Sequence, residues 1–236
     1  MKFPNPLFKG KLIKRYKRFL ADIELENGEV IIAHCANPGS MLYLKEPGAE
    51  VWVSPAQNPN RKLKYTWEMI KTNDTLIGLN TGLPNKIVEE ALQKDLITEL
   101  TGYDSLRREI KYGENSRIDL LLQSSNLPDC YVEVKSVTLK RPGKSNRVAE
   151  FPDSVTVRGT KHLQQLSNQV ANGDRGMMFY LVQREDCTQL SIAGDIDPNY
   201  SEAFSAAWKA GVEMLCYGCS ISPEAIKIKQ KLEIII

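Results

Sequence analysis

Asp119 and Glu133 stand in the middle of two short apolar runs within SRIDLLLQSSNLPDCYVEVKSV, residues 116–137, and Lys135 follows two residues after the second acid. The runs 117–122 and 130–139 are joined by SSNLPD, which predicts an antiparallel hairpin. Side chains alternate along a strand, so Glu133 and Lys135 share one face while Val132 and Val134 take the other. With Asp119 across from them, two carboxylates and one ammonium would meet at a partly dehydrated place. Neighbouring carboxylates repel and each loses hydration, a cost that a cation between them removes. Mg²⁺ (or Mn²⁺) suits oxygen ligands of this kind, and Mg²⁺ keeps several waters and leaves positions open for phosphate. Lys135 would then orient the attacking water and offset charge growing on phosphorus. A plainer reading stands beside this one. Acid-x-Lys alternation is common on the wet face of a strand, and a cross-strand Asp–Lys pair is worth under about 1 kcal/mol.

The elements around the hairpin predict a mixed α/β domain over 82–236. The pattern changes at TGLPNK, where Asn85 can cap a helix whose apolar positions are Ile87, Val88, Ala91, Leu92, Leu96 and Leu100. A strand at 106–112 precedes the hairpin, and the polar loop KRPGKSNRVAEFPD follows it. A helix over 154–170, the strand GMMFYLV, a helix over 203–210 and a strand over 213–217 complete the domain.

Residues 1–81 read instead as a small β-barrel. From Phe19 to Leu25 every second residue (Phe19, Ala21, Ile23, Leu25) is apolar, the period of a half-buried strand, and Asn27-Gly28 then predicts a type I′ hairpin turn. Further strands are expected at 50–54, 63–71 and 75–80, separated by turns such as QNPNRK. Five short strands in this length suit a barrel of the oligonucleotide-binding (OB) type, where a basic groove and aromatics hold nucleic acid. The first eighteen residues carry seven cations (Lys2, Lys9, Lys11, Lys14, Arg15, Lys17, Arg18) and no acid, and Arg61 and Lys62 add two more in the QNPNRK turn. That clustering fits a polyanion binder, and equally a basic edge strand protected from aggregation. Tyr16, Trp52, Tyr65 and Trp67 are either stacking surfaces or core.

Composition excludes several classes. With 42% hydrophobic and 25% charged residues in a chain of 236, the balance is that of a globular protein with room for two modest domains. No run of eighteen apolar residues predicts a membrane span, the start MKFPNPLFKGKLIKRYKR lacks the apolar core of a secretory signal, and a cytoplasmic protein is expected. Cys216 and Cys219 form a C-x-x-C with no second pair and no nearby histidine, so a zinc site lacks ligands and reduced thiols are expected for all five cysteines.

The arrangement of Asp119, Glu133-Val134-Lys135 on a hairpin between helices resembles the PD-(D/E)XK nuclease core, with Ile118 where that signature often has proline. The strings KRFLAD, HCANPGSM, KYGENSRIDLLL, PDCYVEVKSVTL, FPDSVT and RGTKHL resemble the sugar fermentation stimulation protein A family over nearly the whole chain. The resemblance implies an N-terminal OB-like domain, a C-terminal nuclease-like domain and binding to DNA without marked sequence preference. It gives Asp119 and Glu133 as metal ligands, Lys135 as the catalytic lysine, Glu90 (with Glu89 second) as the acid of the first helix, and His162 as a polar residue facing the site. Two outcomes follow for function: a Mg²⁺-dependent nuclease, or a non-enzymatic DNA-binding regulator, for which a role in sugar (maltose) metabolism has been attached to the family. The chain departs from the family pattern at Ala36 and Pro38, where the loop usually reads closer to HCPNTGSM, and at Val157, where an acid is frequent.

Overall fold

The computed structural model describes residues 1–58, 60–112, 116–143 and 147–235. Pro59 of the QNPNRK turn, residues 113–115 of KYGENSRIDLLL and residues 144–146 of the polar loop lie outside the described residues.

Six strands build the first unit: β1 (Phe8–Tyr16), β2 (Leu20–Leu25), β3 (Val30–Cys35), β4 (Glu50–Pro55), β5 (Tyr65–Thr72) and β6 (Thr75–Gly78). They run β3-β2-β1-β4-β5-β6, and a parallel pairing of β3 with β5 closes the first five into a barrel. Its interior collects the alternating apolar residues Leu12, Ala21, Ile23, Leu25, Ile31, Ala33, Val51, Val53 and Trp67. The Asn27-Gly28 turn differs from the expected type I′. Only Gly28 has a positive φ, 84°, and Leu25 N–H donates to the Glu29 carbonyl, so a three-residue loop with one left-handed glycine joins the strands. β1 pairs with β2 and, over Phe8–Lys11, with β4 on its other side, so Lys11 guards no free edge. Trp67 and Trp52 are buried, which removes both from the set of stacking surfaces.

The second unit is a six-stranded sheet in the order β14-β13-β11-β9-β8-β7. β7 (Ser105–Tyr112), β8 (Ser116–Gln123) and β9 (Cys130–Val137) form an antiparallel meander, and β11 (Arg175–Val182) and β13 (Glu213–Ser222) continue it in parallel with β9. β14 (Ala225–Lys231) returns as a hairpin, while β10 (Val148–Phe151), β12 (Gln189–Ile192) and β15 (Glu233–Ile235) make a small parallel sheet. Two successive steps in one direction, β9 to β11 and β11 to β13, need crossovers of one hand. Their helices α2 (Val157–Ala171) and α3 (Pro198–Lys209) accordingly share one face, packed around Leu163, Leu166, Tyr180, Tyr200 and Phe204. The other face is covered by α1 (Pro84–Leu92) through Ile87, Val88 and Ala91 against Leu120, Val132, Val134 and Phe179.

Several expectations change in this unit: α3 begins at Pro198 rather than 203, and β13 runs to Ser222 rather than 217. α1 stops at Leu92, and Leu96 and Leu100 belong to the turn and short 3-10 segment after it. Its cap is Leu83 with Pro84 beginning the helix, so Asn85 lies inside the first turn. The strands β10, β12, β14 and β15 add to the expected elements; β10, β12 and β15 have only four, four and three residues, while β14 alternates Ile226 and Ile228 with Lys227 and Lys229. The chain start also joins this unit: Phe3 N–H donates to the Glu224 carbonyl, and Ile226 N–H to that of Met1, along β14.

Candidate active site and nucleic-acid surface

The β8–β9 ladder pairs Leu122 with Cys130, Leu121 with Tyr131 and Leu120 with Val132, and there it stops. The next facing pair would be Asp119 and Glu133. In place of a backbone rung, Asp119 Oδ2 accepts the Val134 N–H at 2.8 Å, and its Oδ1 accepts Nδ2 of Asn85 at 2.8 Å. The gap between the strands is thus filled by a carboxylate. α1, which packs on that side through its apolar face, supplies the amide that orients it.

Glu133 and Lys135 take the α2 face, as the alternation requires. Lys135 Nζ donates to Glu133 Oε1 at 2.6 Å, and His162 Nδ1 meets the same oxygen. Lys135 Nζ and His162 Nδ1 are 3.2 Å apart, two donors converging on one acceptor. Arg158, one turn earlier on α2, donates from Nε to His162 Nε2 at 3.3 Å, which leaves Nδ1 as the protonated nitrogen facing Glu133. Glu133 is only 3% exposed, and its second oxygen, Oε2, is buried without a hydrogen-bond partner among the described residues.

Charge follows burial. Burial, then the Glu133 carboxylate, pushes the Asp119 carboxyl above the usual range, against the bonds from Val134 and Asn85. For Glu133, burial works upward as well, but Lys135 and His162 outweigh it and hold the group below its ordinary value. The Tyr112 hydroxyl, at the end of β7, is also buried without a partner among the described residues, and burial together with Glu133 and Asp119 keeps it protonated.

Four of the five sequence-nominated site residues therefore come together: Asp119, Glu133, Lys135 and His162. Glu90 does not join them. It pairs with the Met1 ammonium at 2.9 Å and with Lys94, on the β14 flank of α1. Glu89, one turn from Asn85, pairs with Arg108 at 3.2 Å, so it lies on the flank that faces β7 and β8. Three residues escaped the sequence: Asn85, Tyr112 and Arg158. The signal for Asn85 was its type, since asparagine competes with the helical backbone and is disfavoured in a helix unless its side chain is used.

On the barrel the nominated cations divide by their contacts. Lys9 pairs with Glu50 at 2.6 Å and Lys14 with Asp22 at 3.6 Å. Arg15 donates to the carbonyls of Asn37 and Gly39, each at 3.1 Å, and Arg18 to that of Pro38 at 2.8 Å. These two arginines brace the ANPGSM loop through its backbone, so the departures at Ala36 and Pro38 leave the contact intact. Arg61 donates to Thr66 Oγ1 at 2.8 Å, while Lys11, Lys17 and Lys62 are exposed. The braced loop docks on the second unit: Ser40 Oγ donates to the Asp153 carbonyl at 2.7 Å and Met41 N–H to the Asp153 carboxylate at 3.2 Å. Gly39 lies so close to that carboxylate that a Cβ would collide with it. A cleft of about 250 Å³ remains at this junction, bounded by Arg18, Thr81, Ser136 and Thr156. Val157, where the family often has an acid, is 80% exposed at the head of α2.

Residues 82–225 match the family profile described as the sugar fermentation stimulation protein RE domain, and residues 13–79 match the SfsA N-terminal OB domain. The chain belongs to the sugar fermentation stimulation protein family. It is 54% identical over 235 residues to the homolog from Maricaulis maris, covering 99% of this chain and 98% of that one. The homolog from Paramagnetospirillum magneticum is 53% identical, with 97% and 95% covered. Among solved structures, Pyrococcus furiosus SfsA in complex with Ca²⁺ superposes with a TM-score of 0.89 at 26% identity, over 100% of this chain and 98% of that one. The fold is accordingly an OB-like barrel followed by the mixed α/β domain of this family. Among the described residues no helix is long and apolar enough to cross a membrane.

Proposed function

We propose that this protein binds DNA through its barrel and hydrolyses phosphodiester bonds with a divalent cation held by Asp119 and Glu133. The observation that carries the reading is a half-buried and a buried acid, Asp119 and Glu133, at the point where the β8–β9 ladder opens, the second with an oxygen that has no partner among the described residues. A carboxylate oxygen buried without a donor is costly, and a cation satisfies it. The residues fit Mg²⁺ or Mn²⁺: two carboxylates supply hard oxygen ligands, and water and phosphate oxygens complete the shell. Bound there, the cation would supply Lewis acidity and a lowered pKa for water. Ca²⁺ in the Pyrococcus furiosus relative supports a divalent site in this fold.

The chain's own residues have separable parts. Asn85 and the Val134 N–H orient Asp119, and His162 and Lys135 orient Glu133. Lys135 Nζ is the ammonium closest to the pair, placed to meet charge developing on a phosphoryl oxygen.

A second reading has two observations in its favour. Among the described residues no group of three His, Cys, Asp or Glu is arranged to enclose a metal, and Lys135 already neutralises Glu133. A DNA-binding protein on a nuclease scaffold would look the same. The experiment that separates them incubates pure protein with single- and double-stranded DNA and RNA in Mg²⁺, Mn²⁺ or EDTA. Metal-dependent cleavage that is lost in Lys135→Met while binding in Ca²⁺ persists supports the enzyme. Binding without cleavage on any substrate leaves the regulator. A cytoplasmic location fits both.

A further inference from the structure

The turn between β1 and β2 is strained, and it presents an aromatic ring to solvent. Lys17 and Arg18 have φ of 45° and 64°, two consecutive non-glycine residues in the left-handed region. Such conformations persist only where the surroundings hold them, and they gather at ligand sites. Here the hold is Arg18, tied through Nε to the Pro38 carbonyl. The next residue, Phe19, is 43% exposed even though Ala21, Ile23 and Leu25, which continue its alternation, are core. Its ring stacks with His34 of β3, centroids 6.5 Å apart and planes inclined by 24°, and the Arg18 guanidinium lies 5.6 Å from its centroid.

A groove of about 520 Å³ begins at His34 and is lined by Arg61, Lys62, Leu63, Thr66 and Asn80, with no acid among its walls. Asn37 and Thr81, which wall the junction cleft, directly follow its lining residues Ala36 and Asn80 in the chain. That cleft, unlike the groove, has two acids in its lining, Glu150 and Asp153. Flat rings with cations on both sides and no acid between match a ligand that carries both a π-face and a phosphate. In a duplex the π-faces are taken up by neighbouring bases, and only unpaired bases offer them. Burial, then Arg61, lowers the His34 pKa, so its ring is neutral near pH 7 and stacks as an uncharged face.

We propose that Phe19 and His34 form a base-stacking platform that selects single-stranded nucleic acid, with Arg18, Arg61 and Lys62 on its phosphates. This rests on the DNA-binding reading above and adds which form of the polymer is taken.

The test uses full-length protein in Ca²⁺, which separates binding from cleavage, and three labelled probes read by fluorescence anisotropy. They are an oligothymidylate of about 15 nucleotides, an abasic strand of the same length, and the matching duplex. The thymidylate should bind about tenfold more tightly than the abasic strand, which has the same phosphates and no bases, and more tightly than the duplex. Phe19→Ala should erase the preference over the abasic strand without altering the salt slope, and Phe19→Trp should keep it. A 2-aminopurine placed in the strand should be quenched on binding wild type, a readout that needs no variant. Equal affinity for thymidylate and abasic strands, a preference that survives Phe19→Ala, duplex binding as tight as single strand, or an unquenched 2-aminopurine overturns the platform alone. Failure to bind any of the three probes overturns the DNA reading beneath it.

Discussion

Glu133→Gln tests whether the acid and the lysine form one buried charge unit. The Glu133 side chain is 4% exposed and that of Lys135 13%, with 2.6 Å between oxygen and nitrogen. Glutamine keeps the shape and one acceptor oxygen, but it leaves the ammonium buried without its counter-charge. Removing one partner of a buried pair costs about 3–5 kcal/mol, and the residual exposure of Lys135 puts the expected loss near the lower end. Relief of Asp119, whose carboxyl Glu133 pushes upward, offsets part of this. For a chain of this size about 3 kcal/mol lowers the melting temperature by about 6–12 °C. The assay is thermal unfolding in EDTA of wild type, Glu133→Gln, Lys135→Met and the double variant. The double variant should lose less than the sum of the singles, with a coupling of at least about 1.5 kcal/mol. A Glu133→Gln loss below about 1 kcal/mol, or simple additivity, refutes the buried pair and returns Lys135 to an ordinary surface contact.

Mg²⁺ or Mn²⁺ should raise the melting temperature of wild type, since a ligand that binds only the folded state stabilises it by mass action, and Asp119→Asn should abolish the increment; equal shifts in both proteins sink the shared site. Asp186 is held down to about 2 although burial pushes it upward, because Arg184 and Lys140 donate to it. A depressed acid contributes stability above its unfolded pKa of 3.8 and loses it as pH falls toward 2, so Asp186→Asn should cost about 2 kcal/mol at pH 6 and almost nothing at pH 2, measured by urea unfolding at both. Replacing the exposed Lys11, Lys17 and Lys62 with Gln should lower the slope of log K against log salt by about 0.7–0.9 for each phosphate that is no longer neutralised; an unchanged slope moves the DNA surface off the barrel.

How much of this was legible in the sequence depends on the kind of information each feature needs. The period of two along 130–137 sorted Glu133 and Lys135 from Val132 and Val134 correctly, because strand alternation is local. The hairpin register followed from the short SSNLPD connection, and it set Asp119 against Glu133. That the ladder would open at that pair was invisible, since a missing rung is decided by what Asn85 brings from α1. Which of Glu89 and Glu90 faces β7 and β8 was hidden for a similar reason. The two are adjacent and about 100° apart on the helix, so Glu89 meets Arg108 of β7 while Glu90 meets Lys94 and the Met1 ammonium on the other flank.

The barrel shows the complementary case, in which composition gathered the cations and left the place of the rings open. Seven cations fall within eighteen residues, but Trp52 and Trp67, the strongest stackers by type, are buried, whereas Phe19, which alternation assigned to the core, is exposed. The reversal lies in the turn. Lys17 and Arg18 both adopt left-handed backbone, a state no propensity would assign to them, and Phe19 follows this turn outside the alternation that governs Ala21, Ile23 and Leu25. Arg18 makes that state tolerable by reaching Pro38, and the same loop reaches Asp153 across the junction through Ser40 and Met41. One chain of contacts therefore ties the exposed ring to the segment that begins α2 and carries Arg158 and His162. A change at Asp153 should accordingly be felt at both ends, in nucleic-acid affinity and in the geometry around Glu133.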